Sequence, residues 1–91
     1  MSERDRLQRQ IRSLESIEQG LHSNISDYQQ RIISAQRDRA DAGRHTDALE
    51  RQRAADRRVR DLESSIQSAK REMDRVRNQI KGLKSEIASW R

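Results

Sequence analysis

The sequence of 91 residues contains no proline and no cysteine. Proline breaks helices because it lacks an amide hydrogen and clashes with the preceding turn, so its absence leaves long helices uninterrupted. The absence of cysteine excludes disulfides, zinc–thiolate sites and a cysteine nucleophile within these residues. Aromatic residues are almost as scarce, with one Tyr, one Trp and no Phe. There is therefore no run of aromatic side chains on which nucleic-acid bases could stack.

The composition fits two descriptions of the chain. Leu, Ile, Val and Phe account for only 16 of the 91 residues, which is typical of disordered segments. Ala, Glu, Lys, Leu and Arg account for 41 residues, which is typical of long helices and coiled coils. The order of residues along the chain decides between the two and favours helices.

Apolar residues in the C-terminal half are spaced alternately three and four residues apart without a fault. This is the a/d pattern of a coiled-coil heptad, written abcdefg, and it predicts a helix with one apolar stripe. The stripe comprises Val59, Leu62, Ile66, Ala69, Met73, Val76, Ile80, Leu83, Ile87 and Trp90.

The N-terminal half shows the same spacing less cleanly. Glu18 occupies one a position, where a charge lowers stability and helps to fix register or partner choice. The apolar positions of this half are Leu7, Ile11, Leu14, Leu21, Ile25, Tyr28, Ile32 and Ala35.

The two heptad registers differ by one residue, and the mismatch must be absorbed between about residues 40 and 55. Gly43 is predicted to end the first helix in a left-handed conformation. Thr46 is predicted to cap the second helix. We therefore expect helix one at about residues 3–42, a turn at about 43–46 and helix two at about 47–90.

The predicted fold is all-α: a single domain over residues 1–91 that forms an antiparallel helical hairpin with a heptad seam. Because two helices bury little apolar surface, we expect a dimer that forms a four-helix bundle, or a complex with a helical partner. The alternative is one continuous helix that dimerises in parallel. Three attractive charge pairs between chains favour that alternative, namely Arg58–Glu63, Glu72–Arg77 and Glu86–Arg91.

No catalytic, metal-binding or cofactor-binding set of residues is visible in the sequence. His22 and His45 have no further histidine or carboxylate at a metal-ligand spacing, so both are interpreted as surface residues. Four aspartates each precede an arginine by four residues, which predicts ion pairs along the helix surface. These pairs are Asp5–Arg9, Asp27–Arg31, Asp47–Arg51 and Asp56–Arg60.

The chain is basic, with 20 Lys and Arg against 15 Asp and Glu. Five arginines lie within ten residues of helix two and form a candidate phosphate-contact patch. They are Arg51, Arg53, Arg57, Arg58 and Arg60. The alternative interpretation is a solvated helix face whose arginine stems cover the apolar seam.

The function expected from these patterns is non-enzymatic protein–protein interaction through the seam, as an adaptor, chaperone or assembly subunit. The partner is a second copy of the chain, another helical protein or both, with no membrane and no small-molecule substrate. Trp90 caps the bundle or anchors in a partner's pocket. Alternatives are a nucleic-acid-binding hairpin and a segment that folds on its partner. The expected location is the cytoplasm, or export without a cleaved signal peptide.

In size and predicted architecture the chain resembles the small Trp-x-Gly partner proteins of type VII secretion systems, and helical chaperones of other secretion machines. Small dimeric RNA-binding hairpins are similar in the same general way. The Trp-x-Gly turn is replaced by Ala42-Gly43-Arg44-His45, and Ile32 stands where the export signal after Tyr28 requires an acid. No functional residue is therefore transferred from these families.

Overall fold

The computed structural model describes residues 2–90. Within this range the chain forms two helices, α1 (Glu3–Ala42) and α2 (Ala48–Ala88), joined by a turn. The helices pack side by side in opposite directions, giving a rod of 71 × 16 × 14 Å. The predicted all-α antiparallel hairpin is confirmed, and the alternative of one continuous helix is wrong.

Local hydrogen bonds define the start of α1. The Ser2 hydroxyl accepts a hydrogen bond from the Asp5 backbone amide at 3.1 Å, which satisfies one of the unpaired amides of the first turn. Glu3 and Asp5 also lie in that turn, where negative charge is favoured by the helix dipole.

The turn departs from the prediction at Gly43. This residue is right-handed, with φ −61° and ψ −14°, so the predicted left-handed conformation is wrong. The Arg44 amide donates to the Asp41 carbonyl at 3.1 Å, and the His45 amide donates to the Ala42 carbonyl at 3.0 Å. These tight i→i+3 bonds satisfy the last carbonyls of α1, so a left-handed residue is not required.

The start of α2 also differs from the prediction, because Asp47 and not Thr46 occupies the N-cap position. The Asp47 side chain makes no capping hydrogen bond. Its carboxylate instead accepts from Arg51 Nε at 2.7 Å. This hydrogen bond from the Arg51 guanidinium lowers the pKa of Asp47 below its ordinary value. The turn therefore extends to residue 47, and α2 ends at Ala88, before the predicted limit of 90.

The core is a single layer of side chains along the line where the helices meet. Ile11, Val76 and Ile80 form its centre, with Leu14, Leu21, Leu83 and Ile87 packed against them. Because every buried residue within 2–90 occupies an a or d position, the heptad spacing explains which side of each helix faces the other. The buried residues are Leu7, Ile11, Ala35, Ala42, Ala55, Ile66, Ala69, Met73, Val76 and Ile80.

Candidate protein-interaction surface

The seam between the helices is only partly closed. Sixteen seam side chains other than the alanines were predicted to bind a partner, and six of them are buried within the hairpin: Leu7, Ile11, Ile66, Met73, Val76 and Ile80. Nine are half-buried: Leu14, Leu21, Ile25, Tyr28, Ile32, Val59, Leu62, Leu83 and Ile87. Trp90 follows the end of α2 and is 44% exposed, so it does not cap the core of this hairpin.

The accessible surface is large for the mass of the chain. A compact monomer of 10.7 kDa is expected to expose about 5,500 Å². This hairpin exposes 6991 Å², an excess of about 1,500 Å² over the compact value. The excess follows from the elongated shape of the rod, 71 × 16 × 14 Å, and includes the half-buried part of the apolar seam as well as polar surface.

The two broad faces of the hairpin carry different positions of the heptad. Arg58 and Asp38 are both g residues and pair across the helices, with Arg58 Nη1 3.1 Å from Asp38 Oδ2. Arg77 and His22 are both e residues and lie 3.1 Å apart, from Nη2 to Nε2. The g positions therefore border one broad face, here named the g face. The e positions border the opposite one, named the e face.

The e face is charged and partly closed by bonds within the chain. Arg77 Nε donates to Glu18 Oε2 at 2.9 Å, while Arg77 Nη2 reaches His22. A guanidinium has no acceptor, so in this contact His22 Nε2 must accept the hydrogen bond. Glu18, the charged residue in the seam, therefore has its partner on the opposite helix. This pair supports the antiparallel register.

A second set of ion pairs joins the helices near the turn. Arg39 Nε lies 2.8 Å from Asp56 Oδ1, in addition to the Arg58–Asp38 pair. Arg58 and Arg77, which the parallel-helix alternative assigned to partner glutamates, are therefore bound within the hairpin. Glu72, which that alternative paired with Arg77, is bound by Arg75 at 2.9 Å.

The five arginines of the candidate phosphate-contact patch do not lie on one face. Arg51 and Arg58 are g residues with carboxylate partners, Asp47 and Asp38. The other three, Arg53, Arg57 and Arg60, line a shallow groove of about 800 Å³ on the outer side of α2, which Arg51 also lines together with the carboxylates Asp47, Glu50 and Asp56. These three arginines have no ion pair within residues 2–90.

Two of the four predicted ion pairs along the helix surface form. Asp27 binds Arg31 at 3.0 Å, and Asp47 binds Arg51 at 2.7 Å. Asp56 instead pairs across the helices, and no Asp5–Arg9 pair forms in the described range. Residues 2–90 hold no group of three or more His, Asp or Glu side chains that could bind a metal ion. No helix among them has the length and apolarity needed to cross a membrane.

An open groove lies on the g face at the end of the hairpin remote from the turn. Its volume is about 820 Å³. Half-buried Leu14 and Leu83 line it, and the rest of its lining is polar or lacks a side chain: Arg6, Arg9, Gln10, Ser13, Gln79, Gly82 and Glu86. The sequence indicated Leu14 and Leu83 through the heptad pattern. The polar lining was missed, because it lies outside the a/d positions.

Sequence reasoning also missed the apolar side chains that lie outside the seam. Ile17, at a g position beside the seam, is 49% exposed, and Ile33, on the outer side of α1, is 42% exposed. Leu49, next to the turn, is 60% exposed. Ile17 could have been identified as part of a wider stripe, since it directly precedes Glu18 in the seam.

The comparisons with known proteins found no matching family model, no matching curated protein and no matching solved structure.

Proposed function

We propose that this hairpin is a non-enzymatic protein–protein interaction module that binds further helices along its seam. The proposal includes its use as an adaptor, chaperone or assembly subunit, with a second copy or another helical protein as the partner. The observation that carries the proposal is the half-buried seam. Nine apolar a and d side chains remain partly in water, and an added helix would cover them.

The large accessible surface of the hairpin also favours the binding of further helices. Burial of apolar surface contributes about 25 cal/mol per Å². The hairpin exposes about 1,500 Å² more than a compact monomer of its mass, and a two-helix core leaves little margin over chain entropy. Additional helices would supply the missing burial without changing the hairpin. Partners that fit this surface are amphipathic helices with their own apolar stripe.

Chemical cross-linking of a tagged copy in its own cells, followed by purification and mass determination, tests this proposal. We expect a stoichiometric complex with a second copy or with another helical protein. Replacement of half-buried Leu62 by Glu should remove the complex, whereas the control Ile33→Glu, on the outer side of α1, should retain it. Recovery of a lone 10.7 kDa chain, or equal capture by both variants, would overturn the proposal.

Nucleic-acid binding is the second candidate, and the outward arginines Arg53, Arg57 and Arg60 favour it. The slope of log affinity against log salt is negative, and removing three phosphate contacts should reduce its magnitude by about 2.7. The test compares the triple Gln variant at these positions with a control, Arg71→Gln/Arg75→Gln, further along α2. An unchanged salt slope in the triple variant excludes this patch as a phosphate-binding site.

A further inference from the structure

The two broad faces of the hairpin differ in charge in the half remote from the turn. Within α1, the g face presents Gln10, Ile17 and Asn24, all uncharged. At the same end of the rod, α2 adds Ser65, Glu72, Gln79 and Glu86 to the g face, which therefore carries two charged residues. The e face carries five, namely Glu15 of α1 and Glu63, Lys70, Arg77 and Lys84 of α2. Bringing charged side chains into an interface requires their desolvation, whereas uncharged and apolar side chains can be covered at low cost. The g face is therefore the better docking surface.

The two glycines inside the helices lie on the g-face side. Gly20 in α1 and Gly82 in α2 both occupy c positions, which adjoin g on a helix. A Cβ built on either glycine would meet nothing within 4 Å, so the hairpin itself does not need glycine there. Glycine in a helix costs about 1 kcal/mol relative to alanine. Close approach of another helix along the g face would explain its presence.

The charges beside the groove indicate that the docking helix belongs to a second copy of this chain. Arg9 lines the wall formed by α1, and Glu86 lines the wall formed by α2. Neither has an ion pair within residues 2–90. A two-fold axis parallel to the rod places α1 of one copy beside α2 of the other. Arg9 of each copy would then lie on the same side as Glu86 of the other, so the groove complements itself.

The area is sufficient for a stable complex between copies. A specific interface buries about 800 Å² per partner. The broad face of the rod measures 71 × 16 Å, a projected area on the order of 1,000 Å² before side-chain relief is counted. To reach this area a second copy must extend along the whole g face, over the ion-paired Arg58 and Asp38 as well as the open end. From the uncharged α1 side of the g face, the complementary charges of its groove and this area, we propose that a second copy docks on the g face to form a parallel, two-fold symmetric four-helix bundle. This inference rests on the proposed function and specifies its partner and surface.

The first test uses two isoleucines of similar exposure on the same helix. Ile17→Arg places a charge at the centre of the g face, and we expect it to weaken dimerisation about a hundredfold. Ile33→Arg is the control, since Ile33 lies away from the g face, at a b position that adjoins the e face, and is comparably exposed. Sedimentation equilibrium gives the mass of each variant, and circular dichroism verifies that both remain helical.

The outcomes separate this inference from the proposed function. If the wild type is a dimer, and Ile17→Arg dissociates it but Ile33→Arg does not, docking of a second copy on the g face is supported. A wild-type dimer that survives Ile17→Arg, or that Ile33→Arg also dissociates, overturns the g face but leaves an interaction module. A monomeric wild type overturns the second copy as the partner. In that case the proposed function depends on another helical protein being captured in the cross-linking experiment.

The second test determines which helices meet. Arg9→Glu alone leaves each copy with acids at both positions, and Glu86→Arg alone leaves it with bases at both. Each variant alone should dimerise about tenfold more weakly. When the two variants are mixed, every contact between positions 9 and 86 of different chains joins an acid to a base, so a heterodimer of wild-type affinity should form. If positions 9 and 86 met within one chain instead, each variant would keep its like-charge repulsion after mixing. Failure of the mixture to recover wild-type affinity would therefore overturn the parallel arrangement.

Discussion

The half of the hairpin next to the turn and the half remote from it are held together by different means. In the turn half, residues 28–62, the only buried side chains are Ala35, Ala42 and Ala55. In the open half, residues 3–27 and 63–88, larger side chains fill the core, with Ile11, Val76 and Ile80 at its centre. The larger apolar side chains of the turn half, Tyr28, Ile32, Val59 and Leu62, are only half-buried, so less apolar volume fills the core there than in the open half.

The same comparison applies to charge. Near the turn, Arg39 and Arg58 are bound by Asp56 and Asp38 of the opposite helix, so these charges are satisfied within the chain. At the open end the groove holds Arg9 and Glu86, which have no such pairs within residues 2–90. Half-buried apolar side chains lie in both halves, so the open end differs from the turn half chiefly by these two opposite charges, which have no partner within the described residues and can pair with those of a docked molecule.

The largest expected effect comes from a charge in the open half. Ile80→Asp removes a buried apolar side chain and leaves a carboxylate without a partner in the core. We expect the free energy of unfolding to fall by about 4 kcal/mol or more, with loss of helicity and assembly. Urea unfolding followed by circular dichroism measures the change.

The control for this variant is Ile33→Asp, which makes the same change at an exposed position. Because its side chain is already partly in water, the expected loss is within about 1 kcal/mol. If Ile80→Asp retained wild-type helicity and stability, the open half would not be the part that holds the hairpin together.

A change of the opposite kind tests the turn half. Ala35 is 0% exposed, so Ala35→Leu forces a much larger side chain between the helices. We expect a loss of about 1–3 kcal/mol from overpacking. Ala40→Leu, at an exposed position of the same helix, should change stability by less than about 0.5 kcal/mol. Thermal unfolding of both variants gives the comparison, and equal melting temperatures would show that the turn half is not closely packed.

Much of the fold follows from the sequence, because heptad spacing determines which side of a helix is apolar. The one-residue shift between the two registers located the turn, and the a/d positions of α1 and α2 account for the buried residues within 2–90. Glu18, the one irregular seam position, is explained by Arg77 on the opposite helix. That pairing depends on the antiparallel register, which the sequence left open between a hairpin and a parallel dimer.

The details of the turn and of the surface could not be read from the sequence. Gly43 and Thr46 had favourable residue types for capping, but tight hydrogen bonds and the Asp47–Arg51 pair replaced the expected caps. The groove on the g face combines residues from opposite ends of the sequence, such as Ser13 and Glu86, that only the folded hairpin brings together. The pattern of charges likewise does not distinguish Arg58, which pairs with Asp38 across the helices, from Arg57, which lies on the outer side of α2.

An intermediate effect is expected from the pair that joins the helices in the open half. A double-mutant cycle with Glu18→Gln and Arg77→Gln should give a coupling energy of about 0.2–1 kcal/mol, because both side chains are partly in water. Added salt should reduce it. The control cycle uses Asp27 and Arg31, which pair within α1 alone. A zero coupling for Glu18 and Arg77 would show that the register is determined by apolar packing.

The smallest expected effect lies at the turn, where Arg51 lowers the pKa of Asp47. A carboxylate whose pKa is lower in the folded than in the unfolded chain stabilises the fold above its ordinary pKa of about 3.9. That contribution is lost as pH falls through the folded-state value. The difference in melting temperature between wild type and Asp47→Asn should therefore be small at neutral pH and vanish in acid. In Arg51→Gln, NMR titration should show the pKa of Asp47 raised, and an unchanged value would mean that Arg51 is not the cause.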